Sequence, residues 1–249
     1  MRQPVPDERK TRYTMKIAQS EAYGISTGPT PVVRAPNADL VGRDTREILR
    51  KRLWRDDVER IALVDLVIHY VSRPPDQRIT IDDTLRAKYA ARARIFADEA
   101  GALLQRKGSR HWKERAPQVL VIGATAGIIR ALTECGFRVS ATDLRPEVVG
   151  KELGGVRVWS GKTSNARLMK KADLVIVTGM TLPNRTLPGL MTLARKHSAS
   201  TMIWAITGRN FGDYYTRHGV DCVISDPSPF LLLPGPATIA IWRAVTAFR

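Results

Sequence analysis

From Gln118 to Ser225 the chain alternates short β-branched runs with segments of helical character. The runs are QVLVI (118–122), FRVSA (137–141), VRVW (156–159), DLVIV (173–177), STMIWAI (200–206) and DCVIS (221–225). Apolar runs of this kind suit strands covered on both faces. Strands separated by helical segments form βαβ units on a parallel sheet. The pattern predicts an α/β fold over 117–249, a Rossmann-like parallel sheet flanked by helices. A last strand, Thr238–Trp242, follows a turn at Pro234-Gly235-Pro236 and could be an antiparallel edge.

The chain before residue 117 reads differently, and predicts a smaller N-terminal α/β domain over 16–110. Ala22–Ala35 is rich in Gly, Thr and Pro, which suits short strands and turns. Helical patterns follow over Thr45–Trp54 and Asp57–Ser72, the second ended by Arg73-Pro74-Pro75. A longer helix runs from about Thr84 to Arg106. Its stripe is Leu85, Tyr89, Phe96, Ala100, Leu103 and Leu104, with Asp82 or Asp83 as cap. Core packing against the next domain is the expected use of that stripe; a homodimer contact is the alternative.

The polar segment 1–15 is expected to be a disordered tail. It has no apolar core of a secretory signal, and no run reaches the roughly 18 residues of a membrane helix. The expectation is a cytoplasmic protein with no membrane partner. The protein is basic, with a net charge of +16, which invites a nucleic-acid partner through phosphate neutralisation. However, residues 1–115 carry 24 basic and 16 acidic side chains and the rest carry 16 and 8, so each part nets +8 and no basic tail stands out. Nucleic acid is therefore disfavoured against a small anionic ligand. The two cysteines, Cys135 and Cys222, imply no disulfide framework and suit small core residues.

Chemistry is concentrated in the loops after the runs. The first run ends in Gly123-Ala124-Thr125-Ala126-Gly127 and enters a helix, where a backbone can approach an anion. The second ends near Asp143, twenty residues past Gly123, a spacing that suits a carboxylate accepting from a ribose diol. Asp143 could equally cap the turn into Arg145-Pro146. With strand order 3-2-1-4-5, a crevice opens between the loops after the first and fourth strands. The second of these loops, 178–186, offers Thr178, Gly179, Thr181, Asn184, Arg185 and Thr186. Asn184 and Thr186 also read as helix caps. Thr207-Gly208-Arg209-Asn210 adds a third polar loop in which Arg209 could clamp a carboxylate or phosphate. Asp226 is a turn residue or a far wall.

Nucleophile-elbow, phosphate-loop and zinc-protease motifs are all absent. His69, His111, His197 and His218 are scattered, and no CxxC occurs. Asp226 and His218 are the general-base candidates, neither with an identified partner. Metal ion, NAD(P) and S-adenosylmethionine all stay open as cofactors.

The stretch Asp173–Thr186, with its T-G-x-T-x-x-N-x-T motif, together with the Gly loop and Asp143-x-x-Pro146, resembles a Rossmann-like family of unknown function labelled putative heavy-metal chelation. The resemblance covers about 118–225 and implies a first domain similar to the enolase N-terminal fold. Arg60–Asp65 looks like the helix closing that domain, with Asp65 where Asn is usual. Thr207-Gly208-Arg209 stands where a Gly-Pro-Ser-type turn is expected. The reading reached is a small-molecule or metal-complex binding protein. Gly123, Ala124, Thr125, Gly127, Asp143, Thr178, Gly179, Thr181, Asn184, Thr186 and Arg209 would line its site. The alternative is an NAD(P)- or S-adenosylmethionine-dependent biosynthetic enzyme using the same crevice.

Overall fold

The computed structural model of the chain describes residues 44–54, 56–108, 115–226 and 235–245. The expected tail over 1–15, the segment 22–35, His111 and most of the turn before the last strand lie outside the described residues.

Two helices come first, α1 (Thr45–Lys51) and α2 (Asp57–Val71). Asp44 caps α1 by accepting from the Arg46 amide, and Arg52 ends it in the left-handed region at φ 56°. Asp56 caps α2 by accepting from the Glu59 amide. The two helices share a small core of Ile48, Ala62, Leu63 and Leu66.

Strand β1 (Gln77–Ile81) leads into α3 (Leu85–Arg106). The cap of α3 is Thr84, whose hydroxyl accepts from the Ala87 amide at 3.4 Å; Asp83, an expected cap, instead accepts from the Thr84 amide. Only the C-terminal part of the predicted stripe is buried: Phe96, Ala100, Leu103 and Leu104 are inside, whereas Leu85 and Tyr89 are exposed. The first turns instead bury Lys88 and Arg92. The reason is electrostatic, since Lys88 donates to the Gly235 carbonyl and Arg92 to the Asp226 carboxylate.

The rest of the chain runs β2 (Gln118–Ile122), α4 (Ala126–Glu134), β3 (Arg138–Asp143), β4 (Glu152–Leu153), β5 (Val156–Ser160) and α5 (Gly161–Met169). There follow β6 (Leu174–Thr178), α6 (Leu187–Lys196), β7 (Ser200–Ala205), α7 (Gly212–Arg217), β8 (Cys222–Ser225) and β9 (Ala237–Arg243). Among the described residues these strands make one sheet of nine, in the order β1-β9-β8-β7-β6-β2-β3-β5-β4. Its centre, β5-β3-β2-β6-β7, is the expected 3-2-1-4-5 arrangement and is parallel throughout.

Strand β9 is antiparallel to β8, but it is not an edge, because β1 pairs with its other side from Gln77↔Ile241 to Ile81↔Ala237. The segment expected in the smaller domain therefore contributes a strand to the main sheet. Gln77-Arg78-Ile79-Thr80-Ile81 alternates polar and apolar residues, the period of an edge strand with one wet face.

Helices cover both faces. On one side Phe96, Ala100 and Leu104 of α3 and Ile128, Ile129 and Leu132 of α4 meet Val119, Val121, Leu174, Ile176, Met202 and Trp204. On the other, Ile61, Met169, Leu190, Ala194 and Tyr215 from four helices meet Leu120, Ile122, Val175, Val177, Ile203 and Val223. Alternate residues of β2, β6, β7 and β8 thus enter opposite cores, which is why those runs are so apolar, whereas β5 lies farther out with Arg157 and Trp159 exposed. Cys222 is buried within the first core, but Cys135, expected inside, is exposed at the end of α4.

Candidate functional site

The chain order reverses between β2 and β6, so their carboxyl ends are where a parallel sheet of this kind opens a crevice. The loops leaving those ends touch. Gly123 follows β2 with φ 94°, and a Cβ placed on it would lie 2.5 Å from the Thr178 hydroxyl oxygen at the end of β6. The turn needs glycine twice over, for its left-handed backbone and for the close approach. The Thr178 loop meets the next one as tightly. A Cβ on Gly179 would lie 2.3 Å from the carbonyl oxygen of Thr207, beyond the end of β7. Three consecutive rim loops are thereby packed into one seam.

Within that seam the candidate residues fall into two groups. Thr125 stands at the N-cap of α4 but makes no side-chain cap bond, and Gly127 in the first turn is exposed with open space where a Cβ would be. The helix thus presents its N-terminal end without a side chain folded across it. Thr181 is buried and donates from its hydroxyl to the Thr178 carbonyl at 2.8 Å, so it holds the turn together. Asn184 is exposed, and its amide donates to the Met180 carbonyl. Thr186 occupies the N-cap of α6 without a side-chain cap bond, Pro188 supporting the first turn instead. Neither Asn184 nor Thr186 caps by its side chain. Arg185 reaches away to pair with Asp57 at the start of α2.

Asp143 is buried and heavily bonded. Its carboxylate accepts from the Ala124 amide at 2.9 Å, the Arg145 amide at 2.9 Å, and Arg145 Nε and Nη2 at 3.1 and 2.8 Å. Arg145 Nη2 also donates to the Ala124 carbonyl at 3.3 Å. Burial pushes the carboxyl up, but the side-chain and backbone bonds from Arg145 and the Ala124 amide outweigh it and hold the group below its ordinary value. Arg145, expected only in a turn, is thus bound into the candidate site through Asp143 and Ala124. The signal was there, since an Arg two residues past a strand-end Asp can fold back on it.

A group whose folded value is depressed contributes stability above its unfolded value and loses it as the pH falls through the folded one. The Asp143 clamp on the Gly loop is therefore expected to be intact above the ordinary 3.8 and to release below it. A titration of the Ala124 amide chemical shift checks this: the expected step lies below pH 3.8, and a step above it counts against the clamp.

The two expected general bases are not at the crevice. Asp226 is fully buried, bonded to Arg92 at 3.2 Å and to Trp204 Nε1 at 2.7 Å. Burial pushes this acid up, opposed by the charges of Arg92 and, less, Arg209. Arg209 follows β7 and its charge acts on Asp226. His218 ends α7, stacks on Tyr214 and precedes β8, which puts it at the amino ends of the strands, opposite the crevice.

Heavy metals favour thiolate and imidazole donors. The chain has two cysteines, and they do not supply a centre. Cys135 is exposed beside Glu134 and Phe137. Burial and the nearby Glu99 push the Cys222 thiol up to about 12. Among the described residues no three His, Cys, Asp or Glu side chains gather in a metal-holding group, so these donors do not fit a bare metal ion.

Residues 112–224 match the family model DUF364, described as putative heavy-metal chelation. A DUF364-family protein of unknown function from Pyrococcus horikoshii has a similar structure, with a TM-score of 0.51 at 13% identity, over 85% of this chain and 79% of its own. A second, from Desulfitobacterium hafniense, gives a TM-score of 0.49 at 13% identity, over 86% of this chain and 84% of its own. Identity this low speaks to the fold alone. No curated protein matches the chain. No helix among the described residues is long and apolar enough to cross a membrane.

Proposed function

We propose that this chain, whose residues 112–224 match the DUF364 family of putative heavy-metal chelation, binds an anionic small molecule or metal complex in the crevice between the loops after β2 and β6. One observation carries the reading: the contact of Gly123 with Thr178, which brings the uncapped start of α4 and a threonine-rich turn to one opening. A helix N-terminus concentrates unsatisfied amide donors and a partial positive charge, which favour an anion. Arg145 adds guanidinium donors beside them, its charge paired with Asp143.

The test is thermal unfolding with small carboxylates, phosphates and metal citrate chelates, on the wild-type protein and on Thr178→Val. A ligand at about 100 times its dissociation constant adds roughly 2.7 kcal/mol, or about 5–10 °C for a chain of this size. The shift should shrink in Thr178→Val. Equal responses of the two proteins to every ligand would remove the crevice from consideration.

A metal is expected to arrive within a chelate, because the described donors do not make a centre of their own. Titration with free cadmium should therefore produce no thiolate-to-metal absorption band. A one-to-one band abolished by Cys222→Ser would overturn this expectation.

A further inference from the structure

We propose that Arg145 sets the ligand class of this crevice: it occupies the Asp143 carboxylate at the position where related folds accept a ribose diol, so the ligand is an anion that places no ribose there. This rests on the crevice reading above and narrows it. In nucleotide-binding folds of this topology, the acidic residue ending the second strand of the unit accepts hydrogen bonds from the ribose. Asp143 has that position, at the end of β3 beside the Gly loop.

A carboxylate has about four acceptor sites, and here four donors fill them. Oδ1 takes the Arg145 amide and Nε, and Oδ2 takes Arg145 Nη2 and the Ala124 amide. Three of the four come from one residue. A ribose would have to displace a two-point guanidinium–carboxylate pair, among the stronger hydrogen-bonded arrangements in proteins.

The surroundings hold the pair in place. The Asp143 side chain is only 6% exposed while that of Arg145 is 42% exposed, so the guanidinium is what a ligand meets first. Its second anchor is the Ala124 carbonyl, on the Gly loop itself. Pro146 follows and disfavours a helical backbone at Arg145, which keeps the residue in the turn. A ligand reaching for the carboxylate therefore meets the guanidinium donors of Arg145 first.

Calorimetric titration of the full chain with NADH, S-adenosylmethionine and inorganic phosphate tests the assignment. The proteins compared are the wild type, Arg145→Met, Asp143→Asn and the double variant. Arg145→Met should bind NADH or S-adenosylmethionine at least about tenfold more tightly than the wild type, the factor one charge-assisted hydrogen bond supplies. Adding Asp143→Asn should abolish the gain, and phosphate binding should weaken in Arg145→Met. The assignment is overturned if the wild type binds either nucleoside tightly and Asp143→Asn loses it, or if Arg145→Met gains nothing. Should Arg145→Met fold poorly, Arg145→Lys keeps the charge without the two-point geometry and should show a smaller gain of the same sign. The crevice itself is judged separately by Thr178→Val, so a failure of the Arg145 assignment and a failure of the site are distinct results.

Discussion

Asp226→Ala is expected to destabilise the protein by about 3–5 kcal/mol, because it removes a buried carboxylate from beside a buried guanidinium. Arg92 is 3% exposed and Asp226 fully buried. The guanidinium lies 5.1 Å from the Tyr89 ring centre and 5.2 Å from that of Trp204. Burying the two charges costs much of what their attraction returns, so the pair is weak evidence for stability, but removing one partner takes away the attraction while the other charge stays buried. For a chain of this size the loss corresponds to about 6–20 °C in Tm. The double variant Arg92→Met with Asp226→Leu should recover only part of it, since apolar side chains need no partner but the Trp204 indole N–H loses its acceptor. Urea unfolding of the three proteins decides. If Asp226→Ala unfolds within 1 kcal/mol of the wild type, the charges are not coupled as their geometry implies.

The second large effect is expected at Gly123. Alanine there meets Thr178 at 2.5 Å from a backbone at φ 94°. Overpacking costs about 1–3 kcal/mol and a left-handed backbone about 1–2 kcal/mol, so Gly123→Ala should lose about 2–5 kcal/mol. In a Thr178→Ala background the two closest contacts disappear, leaving the backbone part and a milder 3.2 Å contact with the Cβ of residue 178. That non-additivity is the signature of direct contact between the two loops. Gly127→Ala is the control. It lies in the first turn of α4 with open space around it, and should be neutral or stabilising by up to about 1 kcal/mol. Equal costs of Gly123→Ala in both backgrounds would mean that the loops do not meet as described.

Much of the fold was legible because strands covered on both faces write nearly continuous apolar runs, as β2, β6, β7 and β8 do. The strand order is the common 3-2-1-4-5 of such sheets, and the contact of the Gly123 and Thr178 loops follows from that order. The edge was harder. Strand β1 is short and half-wet, and its partner β9 lies some 160 residues on, beyond the reach of any local pattern. The N-terminal third of α3 was also misjudged. Leu85 and Tyr89 fit an apolar stripe, yet Lys88 and Arg92 are inside, because two acceptors distant in sequence, the Gly235 carbonyl and the Asp226 carboxylate, lie under that face.

The site divides in the same way. Residue type and spacing alone picked out Gly123, Asp143 and Thr178, since a turn at φ above zero, a strand-end acid and a hydroxyl-rich loop are local features. Whether each residue is available is not local. Asp143 is engaged by Arg145, Thr181 by its own turn, Arg185 by Asp57 and Asp226 by the core. The amino-acid order of this protein determined the centre of its sheet and which loops stand at the carboxyl rim, because backbone hydrogen bonding and alternation repeat along the chain. The tertiary structure alone decided which rim side chains still face outward, because a hydrogen-bond partner is chosen by distance in space, and those distances exist only once the chain has closed on itself.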